Sequence, residues 1–238
     1  MTMVIWSGGA DSTLVLLQEI ERANAARRGD KKHFHHGDST VTALTFKSVQ
    51  IVDRGQDKAR EVIKEKIKDL PGGEHVRYAE VEVKFGGSTE GYTGPSQPQA
   101  AIWLTQAALL CGFRERVCFG WVREDDAWHY TAHLHAAWNA LMAILGKHSE
   151  LATPLEWLHK SNVIHELEVR GMLEHVWWCS EPREEDGDLK VCKLCRSCIA
   201  AKLATERLAL EVAAHEAKTA QKGVAVDKLK EYLQDIDK

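Results

Sequence analysis

The chain has 238 residues, of which 44% are hydrophobic. This is enough to bury a sizeable core and excludes a globally disordered chain. With 31 basic against 35 acidic residues the net charge is -4, which argues against the basic face of a nucleic-acid-binding protein. No run approaches the roughly 18 apolar residues of a membrane span. The start Met1-Thr2-Met3-Val4 lacks a basic n-region and a cleavage site, so a cytoplasmic protein is expected.

The first predicted element organises the rest. Val4-Ile5-Trp6 is apolar and strand-like, Ser7-Gly8-Gly9 is a turn, and a helix follows over about Ser12 to Ala26. Adjacent glycines let the backbone turn sharply and approach a ligand without Cβ clashes. Asp11, Ser12 and Thr13 are residue types that cap a first helical turn. The free N–H groups and the positive helix end would face an anion, most naturally a phosphate. Gly-x-x-x-x-Gly-Lys-Ser/Thr is absent, so this is not a Walker loop. An ordinary turn between a strand and a helix is the bland alternative.

Arg27 to Asp38 is polar and glycine-bearing, a predicted surface loop. Its His33, His35 and His36 lack a further ligand nearby in sequence and read as solvated. Thr40 to Phe46 is a β-branched second strand, and Asp57 to Leu70 an amphipathic helix with Val62, Ile63 and Ile67 on one face. Pro71-Gly72-Gly73 ends it, and His75 to Phe85 alternates as a third strand. Gly86 to Pro98 reads equally as a lid over the site or a plain connection. A helix over Gln99 to Cys111 leads to a short buried strand, Arg116 to Val122. Arg123 to Tyr130 follows that strand's carboxyl end, where such sheets bind ligands. A helix over Thr131 to Leu145, a fifth strand over Glu150 to Leu155 and a helix over Trp157 to Arg170, carrying Lys160, complete the body. Strands alternating with helices predict a Rossmann-like α/β fold, a parallel sheet with helices on both faces. Ile199 to about Ala220 reads as a long helix, broken at Gly223 and followed by a short one from Val226. Either could pack on the body, a protein partner or a second subunit as a homodimer. The eight tryptophans read mostly as core or pocket walls.

Six cysteines occur. Cys111 and Cys118 sit in apolar surroundings and read as core. Cys179, Cys192, Cys195 and Cys198 are spaced C-x12-C-x2-C-x2-C. In a reducing compartment clustered cysteines read as metal ligands rather than disulfides. Four thiolates suit a closed tetrahedral structural zinc site, with an iron–sulfur cluster or no metal as alternatives. The acidic, glycine-bearing hairpin Glu181 to Val191 between them is expected to project as a loop.

Ser7-Gly8-Gly9-Ala10-Asp11-Ser12 carries the complete Ser-Gly-Gly-x-Asp-Ser signature and resembles the ATP-pyrophosphatase family, which splits ATP between the α and β phosphates. Together with Thr153-Pro154-Leu155, Lys160 and the four cysteines, the chain is similar to the 7-cyano-7-deazaguanine synthase family of the queuosine pathway, over roughly Met3 to Ala201. The resemblance implies an adenine-nucleotide alpha-hydrolase-like domain over 1–176, a zinc-binding region over 177–201 and a helical extension over 202–238. It implies an AMP-forming C–N ligase that uses ATP and Mg²⁺ and holds a structural Zn²⁺. The substrates would be 7-carboxy-7-deazaguanine and ammonia, and the product the nitrile. One adenylation activates the carboxylate for ammonia, and a second activates the resulting amide oxygen so that it leaves. Asp11, Ser12 and Lys160 would be catalytic. Trp6, Ser7, Gly8, Gly9, Ala10, Asp11, Ser12, Thr13, Phe46 and Gly120 would bind ATP. Trp121, Asp125 and Asp126 would face the substrate. The bland alternatives are a helix-capping Asp11 and a solvated Lys160.

The family usually follows its second strand with Tyr-Gly-Gln-Arg-His, where this chain has Lys47-Ser48-Val49-Gln50 after Phe46. After the fourth strand the family has Gly-x-Asn-x-x-Asp-x-Ser-Gly-Tyr-Pro-Asp, of which Gly120 and an acid are kept. The half that holds ATP is thus retained and the half that holds the substrate is altered. Two further readings stay open. One is a related ligase with a changed acceptor, which could be a protein, as in synthase-like proteins of anti-phage systems. The other is a non-catalytic nucleotide-binding subunit.

Overall fold

The computed structural model describes residues 1–29, 40–47, 51–83 and 97–214. Its centre is β1 (Thr2–Ile5), four residues buried on both faces. On one side lie β2 (Val41–Lys47) and then β3 (Val76–Glu82), on the other β4 (Arg116–Cys118) and then β5 (Glu150–Ala152). The order β3-β2-β1-β4-β5 is parallel throughout, with Val4 opposite Ala43 and Cys118.

Period-two alternation along β1 divides the core. Val4 and Trp6 point to one face, against Leu14 of α1 (Ala10–Arg27), Ile63 and Ile67 of α2 (Ile51–Lys68), and Val163 of α5 (Lys160–Val169). Met3 and Ile5 point to the other, against Leu104 of α3 (Gln97–Leu110) and Trp138 of α4 (Thr131–Leu145). Helices therefore cover both faces, as the alternation of strand and helix patterns predicts. Cys111 and Cys118 are buried in this core. Among the described residues no helix is long and apolar enough to cross a membrane.

Several boundaries move for local reasons. The first helix starts at Ala10 with Gly9 as its cap residue, so Asp11, Ser12 and Thr13 occupy the first turn instead of capping it. The Ser12 hydroxyl turns back to the Gly9 carbonyl at 3.2 Å. The second helix begins at Ile51, ahead of the expected Asp57, and Val62 is exposed while Ile63 and Ile67 are buried. A four-residue spacing keeps 63 and 67 on one face, and 62 falls to its side. The fourth strand stops at Cys118, short of Val122, because Gly120 is drawn against the start of α1. The fifth helix begins at Lys160, not Trp157, because residues before it form turns, with Glu156 N–H donating to Thr153 O at 3.1 Å and Leu158 N–H to Leu155 O at 2.9 Å.

The expected projecting hairpin at 181–191 is present as β6 (Arg183–Glu185) against β7 (Asp188–Lys190), tied by Asp186 and Gly187 with φ of 52° and 80°. Two adjacent positive φ values define the tight turn that matches strand twist. Arg54–Glu184 at 2.8 Å and Lys58–Asp188 at 4.0 Å fasten the hairpin to α2. A final helix covers 196–214, starting slightly before Ile199. His33, His35 and His36, the stretch from Gly86 to Ser96, and the predicted break at Gly223 lie outside the described residues.

Candidate functional site

The strand order reverses direction between β1 and β4. The chain runs outward from β1 through β2 to β3, then returns to β4 on the opposite side. In open parallel sheets the crevice at the carboxyl ends of two such strands is where ligands bind. Here it is formed by Trp6 to Thr13 after β1 and by Phe119 to Asp125 after β4.

The Ser-Gly-Gly turn is held by a dense local network. Gly8 has φ of +87° and abuts α2, where a Cβ would lie 2.9 Å from Arg60 Cγ and from the Gln56 carbonyl. Gly9 N–H donates to Ser7 Oγ at 3.2 Å, the Ser7 and Ser12 hydroxyls are 3.0 Å apart, and Ser7 N–H donates to Ser12 Oγ at 3.2 Å. Trp6 is anchored from both ends. Its indole N–H donates to Thr13 Oγ1 at 3.1 Å, and its carbonyl accepts from Thr45 Oγ1 at 2.8 Å. Gly120 is needed for closeness: a Cβ there would lie 2.7 Å from Asp11 C and Ser12 N. The loop after β4 thus rests directly on the first turn of α1.

Three charges meet at this contact. Lys160 Nζ pairs with Asp11 Oδ2. The other oxygen, Asp11 Oδ1, is buried and has no hydrogen-bond partner among the described residues. Asp125 accepts the Val122 N–H through Oδ2 at 3.1 Å. Burial, followed by the repulsion of Asp11, pushes the Asp125 carboxyl up to about 6. Burial works against the Lys160 ammonium, but the carboxylates of Asp11 and Asp125 outweigh it and hold its pKa above the ordinary lysine value. Lys160 is thus a half-buried cation between two acids rather than a solvated helix lysine. Its Nζ lies 5.6 Å from the centre of the Trp178 ring, and its N–H donates to Glu124 Oε2 at 3.0 Å.

Phe46 stacks on Trp103 of α3 with centroids 6.4 Å apart, and Trp121 is buried against Phe119 at 4.7 Å. Both lie on the α3–α4 side of the sheet. The Asp126 side chain lies outside the described residues.

Two contributors escape sequence reasoning. Arg60 is 2% exposed and donates from Nη1 to the Ser7 carbonyl at 2.6 Å, while pairing with Asp57. A cation three residues before Ile63, on the apolar stripe of α2, was the available signal. Glu124 receives His159 Nδ1 at 2.5 Å as well as the Lys160 N–H, and Arg207 of the last helix lies 3.9 Å away. Glu124 lies in the 123–130 segment expected at the ligand edge, where nothing in the sequence singles it out from Asp125 and Asp126.

The four cysteines converge next to this crevice. Their sulfur atoms all lie within 4.8 Å of one another, with Cys179 3.5 Å from Cys192 and 3.9 Å from Cys195. Sulfurs bound tetrahedrally at about 2.3 Å to one zinc sit about 3.8 Å apart, so the donor set fits. Backbone N–H groups point at the sulfurs: Cys192 N–H to Cys179 at 3.3 Å, Leu194 and Cys195 N–H to Cys192 at 3.4 and 3.2 Å. Such bonds stabilise thiolate and orient it. All four positions of a tetrahedron are filled by protein. The cluster could therefore hold a structural metal such as zinc and leaves no coordination site for a substrate.

Fold and site together define a nucleotide-binding-like α/β protein with Rossmann-type strand order and a four-thiol cluster at the carboxyl edge of its sheet. Beyond that class, no model of a known protein family matches the chain, and no curated protein sequence matches it.

Proposed function

We propose that the chain is an ATP-dependent adenylating enzyme, a C–N ligase that activates a carboxylate of the 7-carboxy-7-deazaguanine class and passes it to ammonia, with ATP cleaved to AMP and pyrophosphate. The observation that carries the reading is the contact of Asp11, Lys160 and Asp125 at the end of the Ser-Gly-Gly turn, in the crevice between β1 and β4. Adenylation needs little covalent help from a protein. It needs the α-phosphate and the attacking oxygen held in line, and stabilisation of the charge that develops on the departing pyrophosphate.

The residues suit those tasks. The turn and the amino end of α1 offer N–H groups to phosphate oxygens. The Ser7 and Ser12 hydroxyls can exchange their mutual hydrogen bond for one to a phosphate. Lys160 brings a fixed positive charge. The unpartnered Asp11 Oδ1 beside the Asp125 carboxyl is an oxygen donor set that fits Mg²⁺. When bound, that ion would neutralise phosphate charge, and Asp11 with Asp125 would hold it.

The second reading, a ligase that joins a similar acid to another acceptor, is favoured by the surface around the segment after β4. Trp157 is 72% exposed and meets Trp128 edge-on at 6.2 Å, with the Arg123 guanidinium 5.8 Å from the Trp128 ring. This aromatic ledge stands where the sequence departs most from the synthase pattern.

The deciding assay mixes the protein with ATP, Mg²⁺, 7-carboxy-7-deazaguanine and ammonium, and follows AMP and the nitrile by mass spectrometry. Both products are expected. AMP without nitrile would move the assignment to the second reading. No pyrophosphate release with any acid tested would leave a non-catalytic nucleotide binder.

A further inference from the structure

Trp177 stands between the cysteine cluster and the Ser-Gly-Gly turn and touches both. Its main-chain N–H donates to the Gly8 carbonyl at 3.1 Å. The Gly8–Gly9 peptide is planar, with its carbonyl and its N–H pointing in opposite directions. With the carbonyl held by Trp177, the Gly9 N–H is turned to the other side, where it donates to Ser7 Oγ. Glycine on both sides of that peptide makes its orientation easy to change, so an external hold decides it.

The hold is itself braced at three points. The Trp177 indole lies flat on Gly55 of α2, where any Cβ would overlap the ring. Its Nε1–H donates to the Cys179 carbonyl at 2.7 Å. The Trp177 carbonyl lies 3.5 Å from where a Gly9 Cβ would stand, so the strand of chain passes directly over the turn. Cys179 is buried and is one of the four clustered thiols. The next residue, Trp178, puts its ring beside Lys160 Nζ. The short path from cluster to turn is therefore Cys179 carbonyl, Trp177 indole, Trp177 N–H, Gly8 carbonyl.

We propose that Trp177 is a positioning residue that makes the order of the Ser-Gly-Gly turn, and through it nucleotide affinity, depend on metal in the four-cysteine cluster. The cluster then acts as a clamp on the phosphate-facing turn as well as a stabiliser of its own hairpin. The affinity part rests on the adenylating-enzyme reading above. The ordering part does not.

The test uses the full, zinc-loaded chain and three variants: Trp177→Ala, Trp177→Phe and Gly55→Ala. Hydrogen exchange over residues 6–13 reads the turn without any nucleotide, calorimetric titration with Mg-ATP reads affinity, and metal analysis reads the cluster. Trp177→Ala should keep its metal, exchange faster over the turn, and bind ATP about tenfold more weakly, the size expected when a well-placed hydrogen bond is lost. Trp177→Phe keeps an aromatic ring near Gly55 but loses the Nε1 bond and the outer part of the indole over Gly55, so it should fall between. Gly55→Ala adds a residue that helices favour, so an Ala-like loosening of the turn in that variant would come from displacing the indole. Stripping zinc from the wild type should reproduce the Trp177→Ala changes, and stripping the variant should add little, because the two perturbations break one path. A metal-loaded Trp177→Ala with wild-type exchange would overturn the proposal. If Trp177→Ala does not fold, wild-type exchange over the turn in Gly55→Ala overturns it instead. A wild type that binds no ATP would sink the nucleotide reading, and the exchange data would still decide the clamp.

Discussion

The Ser-Gly-Gly turn and the cysteine cluster lie side by side but are held by different means. The turn hangs from β1 and α1, whose residues are among the most buried in the chain: Val4, Leu14, Val15 and Leu16 are all 0% exposed. Its hydroxyls bond to one another, and its Ser7 and Gly8 carbonyls are held from outside by Arg60 and Trp177. The cysteine segment has little core of its own. Its hairpin strands are mostly exposed, Val191 and Leu194 stand in solvent, and Cys179 and Cys195 are its buried hydrophobic residues. Burial organises the first, and four thiols sharing one ion would organise the second. The lesson is that one edge of a sheet can carry a site built mostly by packing, and braced by its neighbour only at the Gly8 carbonyl, next to one that needs a ligand to be rigid.

The sharpest way to break this contrast is to remove charge from the preformed site. Asp11→Asn keeps the shape of the first turn and takes away the carboxylate facing Lys160 and the unpartnered oxygen. AMP formation should fall about 10³-fold, the scale for losing a charge-stabilising group at a phosphoryl centre. The melting temperature should stay within a few degrees of wild type. Retained turnover would remove Asp11 from the mechanism.

Gly120 tests whether packing alone sets the site. A methyl group there would meet backbone atoms of Asp11 and Ser12 at 2.7 Å, and backbone cannot swing aside as a flexible side chain would. Gly120→Ala should push α1 and the loop after β4 apart. We expect about 10²-fold lower AMP formation and a loss of about 1–3 kcal/mol in stability from overpacking, read by denaturant titration. A variant with wild-type KM for ATP would show that the contact is not part of the site.

On the other side of the comparison stands Cys195→Ser. Metal analysis should drop from about one zinc per chain, and the melting temperature should fall by about 5–10 °C. Far-ultraviolet circular dichroism should keep the sheet and its covering helices, because the two core clusters draw most of their residues from outside this segment. A brown, iron-containing wild type would replace zinc with an iron–sulfur cluster.

Both halves of that contrast were partly legible in the sequence, for the same reason. A strand, two glycines and small polar residues, or cysteines separated by two residues, encode geometry within a few positions. The cluster and the parallel α/β sheet followed from such local patterns and from the alternation of strands with helices. What could not be read depends on distant partners. Arg60 and the Ser7 carbonyl are 53 positions apart, Lys160 and Asp11 149, and Arg54 and Glu184 130. Lys160 was found only through family resemblance, and Arg60 not at all, because its place on the apolar stripe of α2 does not say which distant carbonyl it meets. Trp177 read as another aromatic wall. Its importance comes from Gly55, which accepts its ring for lack of a side chain, and from the Gly8 carbonyl, which accepts its N–H.

The smallest predicted effect tests how much strain the preformed site carries. Asp125 titrates at about 6 in the folded chain, above its value of about 4 when unfolded. Between those values the folded protein holds more proton than the unfolded one, so stability falls as pH rises from about 4 to 6 and stays reduced above. Asp125→Asn removes the charge and can still accept the Val122 N–H through its amide oxygen. It should therefore be more stable than wild type by about 1–2 kcal/mol at pH 7.5, with the gap closing toward pH 4.5. Saturating Mg-ATP should narrow the gap at pH 7.5, because a bound cation favours the ionised Asp125 and only the wild type gains from it. Thermal melts at the two pH values, with and without Mg-ATP, measure both. Equal melting temperatures throughout would mean that Asp125 is ionised at no cost, so the acidic pair is relaxed rather than held ready for a cation.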